Sequence, residues 1–274
     1  RAGGIEQKSK HDLTPVLHKP SPLIQGVVLT ISSLPFLIGF VVPVMLLIVF
    51  AVGRFDNATN LLYPAVRSIL LASITAIIVV GIGLFLAFLT RINAPGWFNR
   101  SIQTASLGYA IPGTVLGLGV LIVLSQFDNF SSQFLNLSFL PILSGSVFAV
   151  IFAYSLRFLS ISFGTFEAEL SRIPKTTDMA ASTLGARTFQ LLRLVHLPIL
   201  RPALLTASVL VFVDTMKELP ATLILRPFNF ETLATQVYNY ASVGQIEDAA
   251  LPALIIVGIG IVPVFIATRK LHKH

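Results

Sequence analysis

The sequence predicts an all-α protein: a polytopic membrane helix bundle with six transmembrane helices. Three observations carry that prediction. Of 274 residues, 54% are hydrophobic and only 11% charged, where soluble domains carry about 25% charged residues. Apolar runs of about 20 residues recur along the chain, each able to cross roughly 30 Å of hydrocarbon at 1.5 Å per residue. The Lys and Arg residues then segregate to one side of those runs. A soluble globule of this length could not cover so much apolar surface. A disordered chain would need low hydrophobicity and high charge, and the mean hydropathy here is +0.84.

The spans follow in order. The first lies within 23–52, and the next three at 66–89, 102–124 and 139–159. The fifth is at 197–216 and the sixth at 251–268. Together they make one six-helix transmembrane domain over 23–270, preceded by a polar tail or linker at 1–22 and followed by a short tail at 271–274. The runs are continuous rather than alternating, so helices are expected and not the strands of a barrel. The first run is too long for a cleavable signal peptide and lacks a small-x-small site after it.

With the amino terminus cytoplasmic, six crossings return the carboxyl terminus to the same side. Fifteen of the 19 Lys and Arg residues then lie on the cytoplasmic side, Arg91 and Arg157 among them. Arg54, Arg67, Lys217 and Arg226 lie outside. The positive-inside rule selects this topology. It also accounts for the net charge of +7 without a nucleic-acid partner; the partner is the lipid membrane. Zero cysteines exclude disulfides and thiolate ligands.

Two connections are long for a compact bundle: a cytoplasmic loop at 160–196 and an external loop at 217–250. The first reads as two short helices. Pro174 precedes Thr176 and Thr177 as caps, Asp178 suits a first turn, and Gly185 ends the helix in a left-handed cap. The second helix starts near Ala186. It puts Arg187, Gln190 and Arg193 on one face and Phe189, Leu192 and Val195 on another. Two readings fit this elbow: a small-residue helix that docks into another protein, or a connection between spans four and five.

The elbow carries Met179-Ala180-Ala181, three residues, Gly185, nine residues, and Val195-His196-Leu197-Pro198. This resembles the EAA loop of ABC importer permeases: Glu-Ala-Ala, three residues, Gly, nine residues, Ile, one residue, Leu-Pro. Ala180, Ala181, Gly185, Leu197 and Pro198 match. Met179 stands where the family has Glu, with Asp178 beside it, and Val195 replaces Ile. The resemblance implies the type I ABC importer permease fold, with the elbow as a cytoplasmic coupling helix seated on a nucleotide-binding subunit. It further implies a second permease half, two ATP-binding subunits and an extracytoplasmic solute-binding protein in a bacterial inner membrane. The chain has no Gly-x-x-x-x-Gly-Lys-Ser/Thr loop, so ATP hydrolysis is expected on the partners.

Asp214, Lys217 and Glu218 end the fifth span and can share a helical face. An ionisable residue at membrane depth points to a pathway or gate, and a local interfacial ion pair is the alternative. Asp214 reads as the deepest of the three. In the third span, Tyr109-Ala-Ile-Pro-Gly113 permits a kink beside a pathway or a kink that only serves packing. The spacing Gly113-x-x-x-Gly117 fits helix packing. The runs Lys217-Glu-Leu-Pro-Ala-Thr222 and Leu225-Arg-Pro-Phe-Asn-Phe230 resemble the ferric-iron branch of these permeases over about residues 30–270. That resemblance implies the carboxyl-terminal half of a fused permease, and the starting Arg1 fits a break in such a chain. Related branches carry sulfate, thiamine, polyamines or molybdate.

The five histidines, His11, His18, His196, His272 and His274, have no metal-ligand spacing within a span. No catalytic grouping, cofactor site or metal site is expected, so the chain does not read as an enzyme. A secondary transporter with midplane charges is the competing class.

Overall fold

The computed structural model describes residues 21–53, 60–92, 95–135 and 143–271. The expectations for most of the amino-terminal tail, for Arg54, for 139–142 of the fourth span and for the last three residues lie outside this range. Among the described residues the regular elements are helices, and no strand occurs. Five helices are long and apolar enough to cross a membrane, and a bent pair brings the number to six.

The chain divides into two compact units, one ending at Leu46 and one beginning at Leu47. Helix α1, Pro22–Ala51, turns π-helical over Leu37–Val41, shortly after the interior Pro35. A proline withdraws one N–H from the helical ladder, and a wide turn is one way to absorb the fault. In the second unit, Leu47 and Ala51 pack with Leu61, Ala250 and Leu251.

Helix α2, Leu62–Arg91, buries Leu71, Ala72, Thr75, Ala76, Val79, Val80, Gly83 and Ala87. These positions recur at intervals of three and four, one stripe of an α-helix. After α3, Gly96–Ala105, a 3₁₀ turn over Ser106–Tyr109 leads to α4, Gly113–Leu135. Helix α5, Val147–Arg172, packs closely on α2: a Cβ on Gly83 would stand 2.3 Å from Ser162 Oγ. Lipid gives helices no hydrophobic reason to associate, so close backbone approach at small residues does that work. Val79, Tyr154, Phe158, Val211 and Leu225 share one core cluster. Phe163, Phe166, Leu170, Leu200 and Ala207 share a second.

Three sequence expectations are corrected. The third span does not run through 102–124. It breaks at 110–112, because Pro112 lacks an N–H and disfavours helix at the preceding residue, and α4 starts afresh at Gly113. The fourth span does not end at Leu159. Helix α5 continues to Arg172 and keeps burying Ser162, Phe163, Phe166 and Leu170. It stops at Ile173, extended at φ −80°, ψ 123°, as a residue before proline tends to be. Asp128 lies inside α4, where its carboxylate accepts the Ser144 N–H (2.8 Å) and hydroxyl (2.7 Å). The 217–250 segment holds two helices, α9 at Pro220–Leu225 and α10 at Leu233–Ser242, and Ala221, Thr222 and Leu225 are fully buried.

The elbow itself is α6, Lys175–Thr183, and the bent pair is α7, Thr188–Ile199, with α8, Arg201–Met216, meeting at 77°. Helix α11, Ile246–Leu271, closes the chain.

Helix α2 separates the two long connections. Near its start, Arg67 Nη1 donates to the Asn229 carbonyl at 2.7 Å. At its end, Arg91 Nε donates to Asp178 at 2.8 Å. From residue 67 to residue 91 a helix rises about 36 Å. The 226–232 turn and the elbow therefore lie at opposite ends of the bundle.

Candidate functional site

Two groups of candidate residues emerge, one at the elbow and one in the middle of the bundle. The elbow helix starts at Pro174 with no side-chain cap, so Thr176 and Thr177 do not play that part. Asp178 does sit in the first turn. It points inward, with Oδ2 on Arg91 at 2.8 Å and Oδ1 3.0 Å from His196 Nε2. Met179 points outward and is 65% exposed. Ala180 is exposed and Ala181 half-buried.

The helix ends as its glycine demands. Gly185 has φ +83°, a conformation that costs other L-residues about 1–2 kcal/mol. The Ala186 N–H donates to the Ala181 carbonyl and the Gly185 N–H to the Ser182 carbonyl, both at 3.0 Å. That double bond pattern is the Schellman motif. Leu184, just before the turn, is 89% exposed, and Phe189, just after it, is 70% exposed. Leu197 is half-buried and Pro198 exposed, and the two lead into the bend before α8.

The second elbow helix departs from its expected register. It is π-helical over Leu191–His196 and buries Leu191 and His196, five residues apart. Phe189 faces out instead of sharing a buried face with Leu192 and Val195. The wider turn moved the buried stripe from a 3.6-residue period to an i, i+5 pair.

The central group assembles at three breaks in the helices. Arg157 lies near the middle of α5, so it does not belong with the cytoplasmic anchors. Its Nε stands 3.3 Å from Glu218 Oε2, and its Nη1 donates to the Ile111 carbonyl at 3.3 Å. Glu218 is 6% exposed, against 18% for the Asp214 side chain, so Glu218 and not Asp214 is the more buried acid. The Thr222 hydroxyl donates to the Glu218 carbonyl at 2.6 Å and also bonds the Tyr154 hydroxyl. Asp214 Oδ1 pairs with Lys217 Nζ at 2.7 Å. Tyr109 lies within electrostatic reach of Lys217, as does Glu218. Asp214, Lys217 and Glu218 thus lie near one another at the end of α8, with Tyr109 close to Lys217.

Glycines make room for this group. A Cβ on Gly113 would stand 2.7 Å from both Arg157 Nη1 and Glu218 Oε1, and one on Gly108 would stand 2.3 Å from the Leu156 carbonyl oxygen. Gly117 faces Ala221, to whose Cα a Cβ would come within 3.2 Å. Gly113 and Gly117 therefore pack against the α9 turn within the chain. Arg157, which the sequence reading counted with the cytoplasmic anchors, joins this group. A signal was present: Ile161, Phe163 and Phe166 continue the apolar run beyond Leu159, which places Arg157 inside the span.

The fold is shared with chains of solved ABC transporters. A bacterial alginate ABC transporter, solved with an alginate pentasaccharide-bound periplasmic protein, includes a chain that superposes with a TM-score of 0.74 at 15% identity. That match covers 92% of this chain and 94% of that one. The MetNI methionine ABC transporter in an inward-facing conformation gives 0.60 at 16% identity, over 78% and 95%. In sequence the chain is related to the Fe(3+)-transport system permease protein FbpB 2 of Haemophilus influenzae. The two are 28% identical over 177 residues, 65% of this chain and 32% of the relative. It is also related to the putative 2-aminoethylphosphonate transport system permease protein PhnV of Salmonella typhimurium, 25% identical over 249 residues. That match covers 84% of this chain and 88% of PhnV. The chain matches about a third of the length of the ferric relative. No family model matches it.

Proposed function

We propose that the chain is the membrane-spanning half of an importer that takes ferric iron from an external binding protein, driven by ATP hydrolysed on partner subunits. The observation that carries this reading is the elbow. A short helix bearing Ala180-Ala181-x-x-x-Gly185 stands at one end of the bundle with Met179 and Leu184 exposed. An exposed apolar knob rimmed by polar residues fits a protein contact. In this reading Met179, Ala180, Ala181 and Gly185 meet the ATPase. Asp178, Leu197 and Pro198 connect that contact to the bundle. Both chain termini and the elbow are cytoplasmic, in a bacterial inner membrane.

Tyr109, Asp214, Lys217 and Glu218, joined by Arg157, line or gate the pathway. Charged groups at membrane depth are costly and accompany function. They sit where the 110–112 break, the α8–α9 junction and the middle of α5 converge, a place where small rotations of each element change the contacts. Alternating access then follows as a two-state bundle biased by the ATPase. A second permease half completes the pathway.

Iron is favoured by the ferric relative and by the Lys217–Thr222 and Leu225–Phe230 runs. A phosphonate cargo is the second reading, favoured by the match to PhnV along most of both chains. Reconstitution with ATPase subunits, a second permease half and the binding protein separates them. ATP-dependent uptake of ferric ion and none of 2-aminoethylphosphonate is the expected result. The reverse assigns the phosphonate.

A further inference from the structure

The cluster of Arg91, Asp178, His196 and Phe88 joins segments far apart in the chain. Arg91 closes α2, and its guanidinium is used on several sides. Nε bonds Asp178 Oδ2 at 2.8 Å, Nη1 bonds the Leu170 carbonyl, and Nη2 bonds the Ile173 carbonyl at 3.1 Å. It therefore serves the last carbonyls of α5 and the first turn of the elbow at once. The same carboxylate has its other oxygen 3.0 Å from His196 Nε2. His196 is fully buried, its ring 5.6 Å from Phe88 of α2, and it lies five residues before α8 begins.

The two ends of the elbow helix differ. Its far end is the Gly185 turn, exposed and with no atom within 4 Å of a Cβ position. Such an end can pivot. Its near end is held by a guanidinium that makes charge-assisted bonds, which are shorter and stronger than neutral ones, and fork-shaped, which fixes direction. Asp178 faces the bundle while its neighbour Met179 faces out.

We propose that Arg91, Asp178 and His196 form a clasp that carries motion of the elbow to α2 and to the base of α8. Asp178 and Arg91 are positioning residues in this role: they contact no cargo and no nucleotide. A force on the exposed face reaches α2 through the Asp178–Arg91 bond and α8 through His196, in parallel with the covalent path through Pro174. The proposal rests on the reading of the elbow as an ATPase contact.

The test measures two quantities on the assembled transporter in liposomes: how much ATPase subunit co-purifies, and how much cargo moves per ATP hydrolysed. Asp178→Asn keeps the outward face intact, so ATPase capture and hydrolysis are expected to persist while cargo per ATP falls at least tenfold. Asp178→Glu is expected to recover most of that ratio. Arg91→Lys, which keeps the charge but loses the fork, is expected to lower the ratio as well, and it stands in if Asp178→Asn fails to insert. An unchanged ratio in Asp178→Asn, or in Arg91→Lys where that variant stands in, overturns the clasp. Loss of ATPase capture in Asp178→Asn also overturns it, by assigning Asp178 to the docking face. Failure of the unaltered chain to capture any ATPase overturns the reading beneath it.

Discussion

Gly113 stands against Glu218 so closely that a single added carbon would lie 2.7 Å from the carboxylate Oε1. That carboxylate is the partner of Arg157 at 3.3 Å. A start of helix, a junction of helices and a mid-helix arginine therefore meet at one buried ion pair.

Removing one member of this pair leaves the other charge unmatched in the bundle. Arg157→Met or Glu218→Leu alone is expected to destabilise by about 3–5 kcal/mol, the range for breaking a buried pair. The double replacement is expected to recover most of that stability, since apolar groups of similar volume satisfy each other, yet to abolish transport. Thermal unfolding in detergent and uptake in liposomes check both halves. A double variant that transports normally would reduce the pair to scaffolding.

The glycines at close crossings give a second test. At Gly108 a methyl group would meet the backbone oxygen of Leu156 at 2.3 Å, an obstacle that no rotamer change removes. Gly108→Ala is expected to cost about 1–3 kcal/mol, as overpacking does. Gly119 has nothing within 4 Å of the same position. Gly119→Ala is expected to be neutral or stabilising by up to about 1 kcal/mol, the helix-propensity difference. Equal melting temperatures for the two variants would contradict the crossing geometry.

Gly185 tests the elbow turn. Its Cβ position is open, so substitution in the free chain meets no steric wall; the cost is the left-handed φ of +83°. Gly185→Asn, a side chain that tolerates this region, is expected to preserve the elbow in the free chain, while Gly185→Val frays it by about 1–2 kcal/mol. Gly185→Asp adds a charge to the face read as the ATPase contact, so loss of ATPase co-purification is expected with membrane insertion intact. Unchanged co-purification would remove Gly185 from that contact.

Much of this architecture is readable from the sequence because lipid enforces simple rules. Continuous apolar runs of span length and a glycine at a helix end each have one dominant physical meaning. The elbow boundary at Gly185 followed from such a local signal. What escaped was long-range. Arg157 pairs with a residue 61 positions later (157 to 218), and although the apolar residues beyond Leu159 put it inside the span, nothing local names its partner. The burial of Ala221 and Thr222 was hidden by the polar residues around them, since a turn that folds back into a bundle has the composition of a surface loop. The π-helical register of Leu191–His196 was invisible to a pattern that assumes 3.6 residues per turn.

The central claim is that the elbow meets an ATPase while the 226–232 turn, at the far end of the bundle, does not. The chain has no cysteine, so single cysteines report cleanly. Leu184→Cys marks the elbow, and Phe228→Cys, 94% exposed, marks the opposite turn. In the assembled transporter, cross-linking by a short thiol-to-amine reagent is predicted to join Leu184→Cys to the ATPase subunit and to leave Phe228→Cys unjoined to it. Cross-linking of the ATPase to Phe228→Cys, with none to Leu184→Cys, would contradict the account.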